Sequence, residues 1–372
     1  MPDDVLKKML LFPLSGLYAL GVGTRNLMFK TKVLKRRKFD IPVIVVGNIA
    51  VGGTGKTPHT EYIIALLKKK YNVGVISRGY GRKTSGFIEL TGESTPREVG
   101  DEPYQMYHKY ADSKTFFAVS EDRCKGIDTL CALHPEINVI ILDDAYQHRY
   151  VDPDVSVVLT EFGRPAFYDH LLPYGRLREP LSAIEDADIV IVTKCPPSVR
   201  PIEYRIFKSN LRLYPFQKLF FSSFVYKDPR PVFPETTNIH PMLNYLGKQD
   251  VILAVAGIGN PRPFISYLKH TGAQVAVKLF DDHHDFDASD MKAIENKFNS
   301  LKGDNKIIIT TEKDAVRIMN NPDVPKSIKP YLFYLPIEVK FDERYSKDEP
   351  FNDVLMALTA NSKITTRNKL RN

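Results

Sequence analysis

Residues 50–57 read AVGGTGKT, a glycine-rich run closing on Lys56 and Thr57. Successive backbone N–H groups in such a loop converge on phosphate oxygens, and a helix starting inside it adds the positive end of its dipole. Lys56 is then placed to reach the β- and γ-phosphates, and the Thr57 hydroxyl suits a Mg²⁺ ligand. The pattern is G-x-x-x-x-G-K-[ST] with one departure: Ala50 stands where the first glycine is expected, and a small residue there still permits a tight turn. Ala50, Val51, Gly52, Gly53, Thr54, Gly55, Lys56 and Thr57 are therefore the expected nucleotide cradle. The bland alternative is a ligand-free turn; an apolar strand before it and an amphipathic helix after it (Tyr62, Ile63, Leu66, Leu67) favour the nucleotide.

A second chemical element is the run VIILDD at 139–144. An apolar strand ending in acids, downstream of a P-loop, is where such proteins place the carboxylate for Mg²⁺. Asp143 and Asp144 point to opposite faces if the strand continues, so one can bind metal while the other orients water or substrate; a solvated turn is the structural alternative. GDEP (100–103) places Asp101 at a helix start, as a cap or as a general base. SRGYGRK (77–83), SEDR (120–123), QHR (147–149) and LPYGRLREP (172–180) bring cations and amides to the ends of strands, suited to an anionic substrate. In DDHHD (281–285), adjacent histidines seldom chelate one metal from the same element, so one histidine is expected to move protons beside a bystander.

Phosphoryl transfer needs a phosphate cradle, Mg²⁺, a hydroxyl acceptor and a group to orient its proton, and each residue type is present. The parts of a GTPase switch are not. Tyr146 occupies the glycine position of D-x-x-G after Asp143, and Thr193-Lys194-Cys195-Pro196 lacks an Asp for guanine.

These residues need elements to hold them. Strands are expected at Val43–Val46, Val73–Ser77, Phe116–Val119, Val139–Leu142, Val155–Thr160 and Ile189–Thr193, with helices near Thr60–Lys70, Glu102–Tyr110 and Arg123–His134. Short apolar strands alternating with helices predict a P-loop NTPase-like α/β fold, a mainly parallel sheet with helices on both faces and its ligand at the carboxyl ends. Between Pro196 and Pro241 prolines crowd the chain, with one extended piece at Leu219–Tyr226. A second series then runs Val251–Ala256, a helix over Pro263–His270, Val275–Phe280, a helix over Ala288–Phe298, and Lys306–Thr310. Gly257-Ile258-Gly259-Asn260 lacks the third glycine of a dinucleotide fingerprint and is expected to be a turn. The divisions expected are a membrane-associating segment 1–38, a P-loop domain 39–215, a hinge with a second, smaller α/β domain 216–345, and a C-terminal helix and tail 346–372.

Charge is concentrated at the start. Residues 1–38 carry nine basic and two acidic side chains, against a formal net charge of +8 for all 372 residues. A nucleic-acid enzyme spreads basic charge over its body or cleft, so no nucleic acid is expected. The uncharged stretch Met9–Thr24 is short for a membrane span and interrupted by Pro13 and three glycines. Apolar residues followed by KTKVLKRRK suit a segment lying in the interface of an anionic cytoplasmic leaflet; a buried helix with a solvated basic loop is the alternative. Three cysteines without a C-x-x-C suggest neither a disulfide framework nor a zinc site.

Taken together, GNIAVGGTGKTP, SRGYGRK, VGDEP, LDDAYQHR, LPYGRLREP, FDDHHDF and TTEKDA, in that order from Gly47 to Ala315, resemble the tetraacyldisaccharide 4′-kinase family of lipid A biosynthesis. The resemblance implies transfer of the ATP γ-phosphate to the 4′-hydroxyl of a tetraacyldisaccharide 1-phosphate, a lipid A precursor, at the cytoplasmic face of the inner membrane. It implies two α/β domains joined by a hinge, an N-terminal apolar segment for membrane contact, and no obligate protein partner. By matching motif, Lys56 and Thr57 would hold phosphate and Mg²⁺, with Asp144 and Asp143 at the metal. Asp101 would act with His283, the first histidine of its pair, in taking the hydroxyl proton. Arg78, Arg123, Gln147, His148 and Arg178 would line the acceptor site. Ala145-Tyr146 departs from the family's usual Gly-Leu, at the backbone just after the acidic pair. The rival of a different class is a membrane-recruited P-loop switch or scaffold; the arginine-rich loops and the Asp101/His283 pair favour the kinase.

Overall fold

The computed structural model describes residues 2–346 and 349–369, with side chains between Leu11 and Asn361. The side chains of Lys7 and Lys8 and the last residues of the expected tail lie outside the described residues. Helix α1 (Pro2–Lys30) opens the chain. It runs through Pro13 and the three glycines that interrupt the apolar stretch in the sequence. No described helix is long and apolar enough to cross a membrane.

The first lobe is a sheet built from β1 (Val43–Asn48), β2 (Val73–Ser77), β3 (Ile88–Glu89), β4 (Thr115–Val119), β5 (Val139–Asp143), β6 (Val155–Glu161), β7 (Ile189–Thr193) and β8 (Lys218–Tyr226). Between them run α2 (Lys56–Leu67), α3 (Pro96–Val99), α4 (Asp101–Tyr110), α5 (Arg123–Leu133) and α6 (Pro201–Leu211). The second lobe holds β9 (Arg230–Pro231), β10 (Val251–Ala256), α7 (Arg262–Lys269), β11 (Gln274–Leu279), α8 (Ala288–Ser300), β12 (Lys306–Thr311), α9 (Glu312–Met319) and β13 (Leu332–Leu335). The chain then returns through β14 (Ile337–Phe341) and α10 (Phe351–Lys369).

Nine strands form the larger sheet in the order β14-β8-β7-β6-β1-β5-β2-β4-β3. It is parallel except for β14 on β8 and β3 on β4. Strands β1, β2, β5 and β7 are buried along their whole length, as β-branched runs covered on both faces must be. One face packs Ile76, Ile140 and Leu142 with Leu130 of α5. The other packs Val46 and Ile141 with Ile63, Ile64 and Leu67 of α2. The smaller sheet runs β11-β10-β12-β13-β9, parallel until its last strand, and has its own core.

The lobes divide later than proline content suggested. β8 and β14 are the last two strands on one side of the larger sheet, paired from Ser222↔Phe341 to Tyr226↔Ile337. The chain therefore leaves the first lobe after residue 226 and rejoins it at 337. The proline-rich stretch also hides α6, which starts with Pro201 at its first position and Glu203 bonded back to the Arg200 N–H, both ordinary helix-start devices.

Candidate active site

β1 ends at Asn48, and the loop from Ile49 to Gly55 feeds α2 at Lys56. Gly52 has φ +101 and Gly55 has φ +90, conformations that cost a side-chain-bearing residue about 1 kcal/mol or more. Space imposes the same choice: a Cβ on Gly55 would lie 2.6 Å from the Phe224 ring of β8. Asn48 Nδ2 donates to Thr54 Oγ1 (2.8 Å), and Thr193 Oγ1 donates to the Thr54 carbonyl (2.7 Å). His59, buried on α2, joins the Gly55 carbonyl at Nδ1 (2.7 Å) to Ser222 Oγ at Nε2 (2.8 Å). Burial holds its imidazole down to about 4, so it stays neutral. The loop is shaped by the protein itself, as a phosphate cradle requires.

The acidic pair divides its labour. Asp143, 1 % exposed, accepts from Thr60 Oγ1 (2.7 Å) and Ser77 Oγ (3.3 Å), one bond to each oxygen. Burial, reinforced by the charges of Glu102 and Asp144, pushes its carboxyl up to about 7. Asp144 turns out of the strand in the left-handed region (φ +46). Its Oδ1 is buried without a hydrogen bond, 3.5 Å from Lys56 Nζ, and its Oδ2 lies 4.0 Å from Arg178. An orphaned carboxylate oxygen beside the P-loop lysine fits a hard divalent cation; Asp143, with both oxygens taken, does not offer a free one.

Around this pair, Gln147 Nε2 donates to the Asn48 carbonyl (2.6 Å), which places QHR against the P-loop strand. Arg123 is buried with Nη1 on the Ser120 carbonyl (2.7 Å) and Nε unpaired. Burial lowers it to about 10 against the pull of Asp143, leaving it charged at neutral pH. His148 Nε2 is also buried and unpaired, and burial followed by the Arg123 charge holds that imidazole near 4. Arg78 is exposed, and its charge is felt at both Arg123 and His148. Asp122, Cys124 and His148 bring ligand atoms within 4.8 Å of one another. Asp122 already caps α5, however, and the arginines oppose a cation there.

The second lobe supplies the rest. Asp101 opens α4 but does not cap it: the capping position is Gly100, and the carboxylate points across the lobe boundary. Its Oδ2 lies 3.6 Å from Nδ1 of His283 and accepts from Arg317 Nε (2.8 Å) and Nη2 (2.6 Å). His283, at φ +59, is the histidine that faces Asp101. His284 is bonded to Asp290 (2.7 Å) and stacked on Phe280, a structural role. Further charged contacts run along α4 and α9. Lys313 bonds Glu102 (3.3 Å), and Lys109 joins Glu61 (2.6 Å) to Glu312 (2.8 Å).

The other charged seam holds α1 on the P-loop lobe. Ser15 Oγ donates to the Leu171 carbonyl (2.7 Å), Tyr18 to the Arg178 carbonyl (3.0 Å), and Asn26 Nδ2 to Glu179 (2.8 Å), which Arg25 also grips. Glu179 is 1 % exposed, and buried Arg149 lies 3.8 Å away. The helix thus presents its polar side inward while Phe12, Leu14, Leu17, Leu20 and Leu27 are exposed. Arg36, Arg37 and Lys38 pair with Asp186, Asp128 and Asp154, whereas Lys30, Lys32 and Lys35 remain exposed. Arg25, Glu179 and Arg317 gave no motif-level signal of their partners.

A family profile described as LpxK, tetraacyldisaccharide-1-P 4′-kinase, matches residues 7–356. The chain is 44 % identical over 369 residues to a Bacteroides thetaiotaomicron protein named tetraacyldisaccharide 4′-kinase, covering 96 % of each. It is 39 % identical to the Flavobacterium johnsoniae protein of that name, over 91 % of this chain and 94 % of the other. A crystal structure of Aquifex aeolicus LpxK in complex with ATP aligns with a TM-score of 0.71 and 27 % identity, covering 95 % of this chain and 99 % of that one. By a profile spanning most of its length and by relatives matched nearly end to end, the chain belongs to the tetraacyldisaccharide-1-P 4′-kinase family.

Proposed function

We propose that the kinase activity of this chain is carried by Lys56 and the P-loop amides on ATP, by Asp144 and Thr57 at Mg²⁺, and by Asp101 with His283 at the acceptor hydroxyl. The P-loop amides and Lys56 hold the β- and γ-phosphates and stabilise charge on the transferring group. When bound, Mg²⁺ would neutralise phosphate charge beside Asp144, the carboxylate with a buried unpaired oxygen. Asp143 keeps Thr60 at the base of the cradle and Ser77 at the end of β2 in register. Asp101 takes the proton of the 4′-hydroxyl as its oxygen bonds to the γ-phosphorus and the bond from that phosphorus to the β,γ-bridging oxygen breaks to release ADP, and His283 orients the proton's transfer. Arg78, Arg123, Gln147, His148 and Arg178 line the acceptor side. The outward apolar face of α1, with Lys30, Lys32 and Lys35 at its end, supports a seat in an anionic leaflet where an acylated acceptor resides.

One observation carries this reading: Asp101 and His283, from different lobes and 182 positions apart in sequence, lie within 3.6 Å. The test is Asp101→Ala and His283→Ala, assayed with ATP and tetraacyldisaccharide 1-phosphate in micelles. Nucleotide affinity should hold within about threefold while kcat falls roughly 10²–10⁴-fold for Asp101→Ala and less for His283→Ala. A near-normal kcat in Asp101→Ala rejects its role as base.

A further inference from the structure

TTEKDA, the last motif in the chain, contributes no group to the chemistry just described, yet with Arg317 it forms the part of α9 that meets Asp101. We infer that Arg317 is the positioning residue that aims Asp101, fixing one carboxylate oxygen and leaving the other for the acceptor hydroxyl, an inference that rests on Asp101 being the proton acceptor.

The geometry is specific. Arg317 Nε and Nη2 both donate to Oδ2 of Asp101, at 2.8 and 2.6 Å, and Oδ1 accepts no hydrogen bond among the described residues. Two charge-assisted donors from one planar group hold that oxygen in place. Asp101 is the first residue of α4, next to Gly100 at φ +92. Arg317 is itself held: it is 7 % exposed, and Nη1 donates to Asp314 Oδ1 (3.0 Å) and to the Gly257 carbonyl (3.3 Å). Asp314 is fully buried and accepts from Thr311 Oγ1 (2.6 Å) and the Gly257 N–H (2.9 Å). A continuous set of hydrogen bonds therefore runs from the ends of β10 and β12 to Asp101.

Arginine is the residue type this requires. Three of its nitrogens are engaged on two carboxylates and a carbonyl, and Nη2 also lies 3.3 Å from Nδ1 of His283. A lysine has a single charged point and cannot span them. Phosphoryl transfer proceeds through a loose transition state in which positioning dominates. Simple lobe attachment does not need Arg317. Lys313–Glu102, Lys109–Glu312 and Tyr104–Asn320 also join α4 to α9.

The experiment compares Arg317→Ala, Arg317→Lys, Asp101→Asn and the double variant Asp101→Asn/Arg317→Ala in the full-length protein, with ATP and tetraacyldisaccharide 1-phosphate in micelles. Arg317→Ala should lose about 10²-fold in kcat, the usual effect of misplacing a reacting group by an ångström, with both KM values within about threefold. Guanidinium ion should restore part of that kcat, and Arg317→Lys should remain at least about tenfold impaired. In the Asp101→Asn background, Arg317→Ala should cost less than about twofold more. A normal kcat in Arg317→Ala beside an impaired Asp101→Asn overturns this inference alone, as does a full additional loss in the double variant. A normal kcat in Asp101→Asn overturns the assignment of Asp101 and the inference with it. Should Arg317→Ala not fold, Arg317→Lys carries the same comparison.

Discussion

Two helices meet the P-loop lobe through polar contacts, and they leave opposite faces behind. α9 directs Glu312, Lys313 and Arg317 at the first lobe while Ala315 and Ile318 are buried in the core of its own lobe. Only Val316 joins the apolar cluster of the first lobe. That seam lies between two self-contained cores, so parting it exposes little apolar surface. α1 directs Ser15, Tyr18, Arg25 and Asn26 inward and has no core of its own on the other side. Its outward leucines and Phe12 make a stripe that water does not favour and that stays largely exposed among the described residues. The difference separates a polar seam between two cores from a polar seam whose far side is an exposed apolar face.

Three measurements test that contrast. The largest effect is expected from Glu179→Ala, which leaves Arg25, Asn26 and Arg149 without their shared buried acceptor. Because Arg25 is 40 % exposed, the loss should be about 2–4 kcal/mol in urea unfolding, at the lower end for a broken buried pair. A change under about 0.5 kcal/mol would mean that α1 is held by something else. Next is Leu17→Asp with Leu20→Asp, on the outward stripe. Partitioning onto anionic vesicles should fall roughly 10–100-fold while unfolding in detergent-free buffer shifts by less than about 0.5 kcal/mol. Unaltered partitioning would refute the interfacial role of that face.

The smallest effect concerns Asp143, away from both helices. Its carboxyl, up at about 7 when folded against an ordinary value near 4, holds protons more tightly in the folded chain. Stability of the nucleotide-free protein should therefore fall as pH rises from about 4 to 7. Asp143→Asn removes that fall, so the variant's unfolding free energy should gain about 1–2 kcal/mol on the wild type across the interval, read by denaturant titrations at each pH. Parallel pH curves would count against a strongly raised carboxyl.

What could be read ahead of the structure were residues tied to a local backbone requirement. The P-loop glycines, the acids closing β5 and the strands buried on both faces announce themselves within a dozen residues. The different surroundings of Asp143 and Asp144 could not be read there, because they depend on Thr60 and Ser77 bonding one of them. Nor could the partnerships Arg25–Glu179 and Arg317–Asp101, which join residues 154 and 216 positions apart and leave no periodic trace. β8 and β14 were grouped with the second lobe for a related cause: joining the larger sheet is a tertiary event, and proline content nearby pointed to a linker. His283 over His284 rested on family likeness, and the contacts of each ring give it a physical basis.

The place where the chain leaves the first lobe has a consequence for ancestry. Tyr226 and Ile337 are paired, and the Lys227 N–H reaches the Pro336 carbonyl at 3.0 Å, so departure and return lie side by side. Residues 228–336 stand where an ordinary hairpin would have a tight turn. The second lobe is thus a graft at a hairpin tip, one that a lineage can acquire or exchange while every strand of the host sheet keeps its neighbours. What the insertion brings to the host is His283 and Arg317, both set against Asp101.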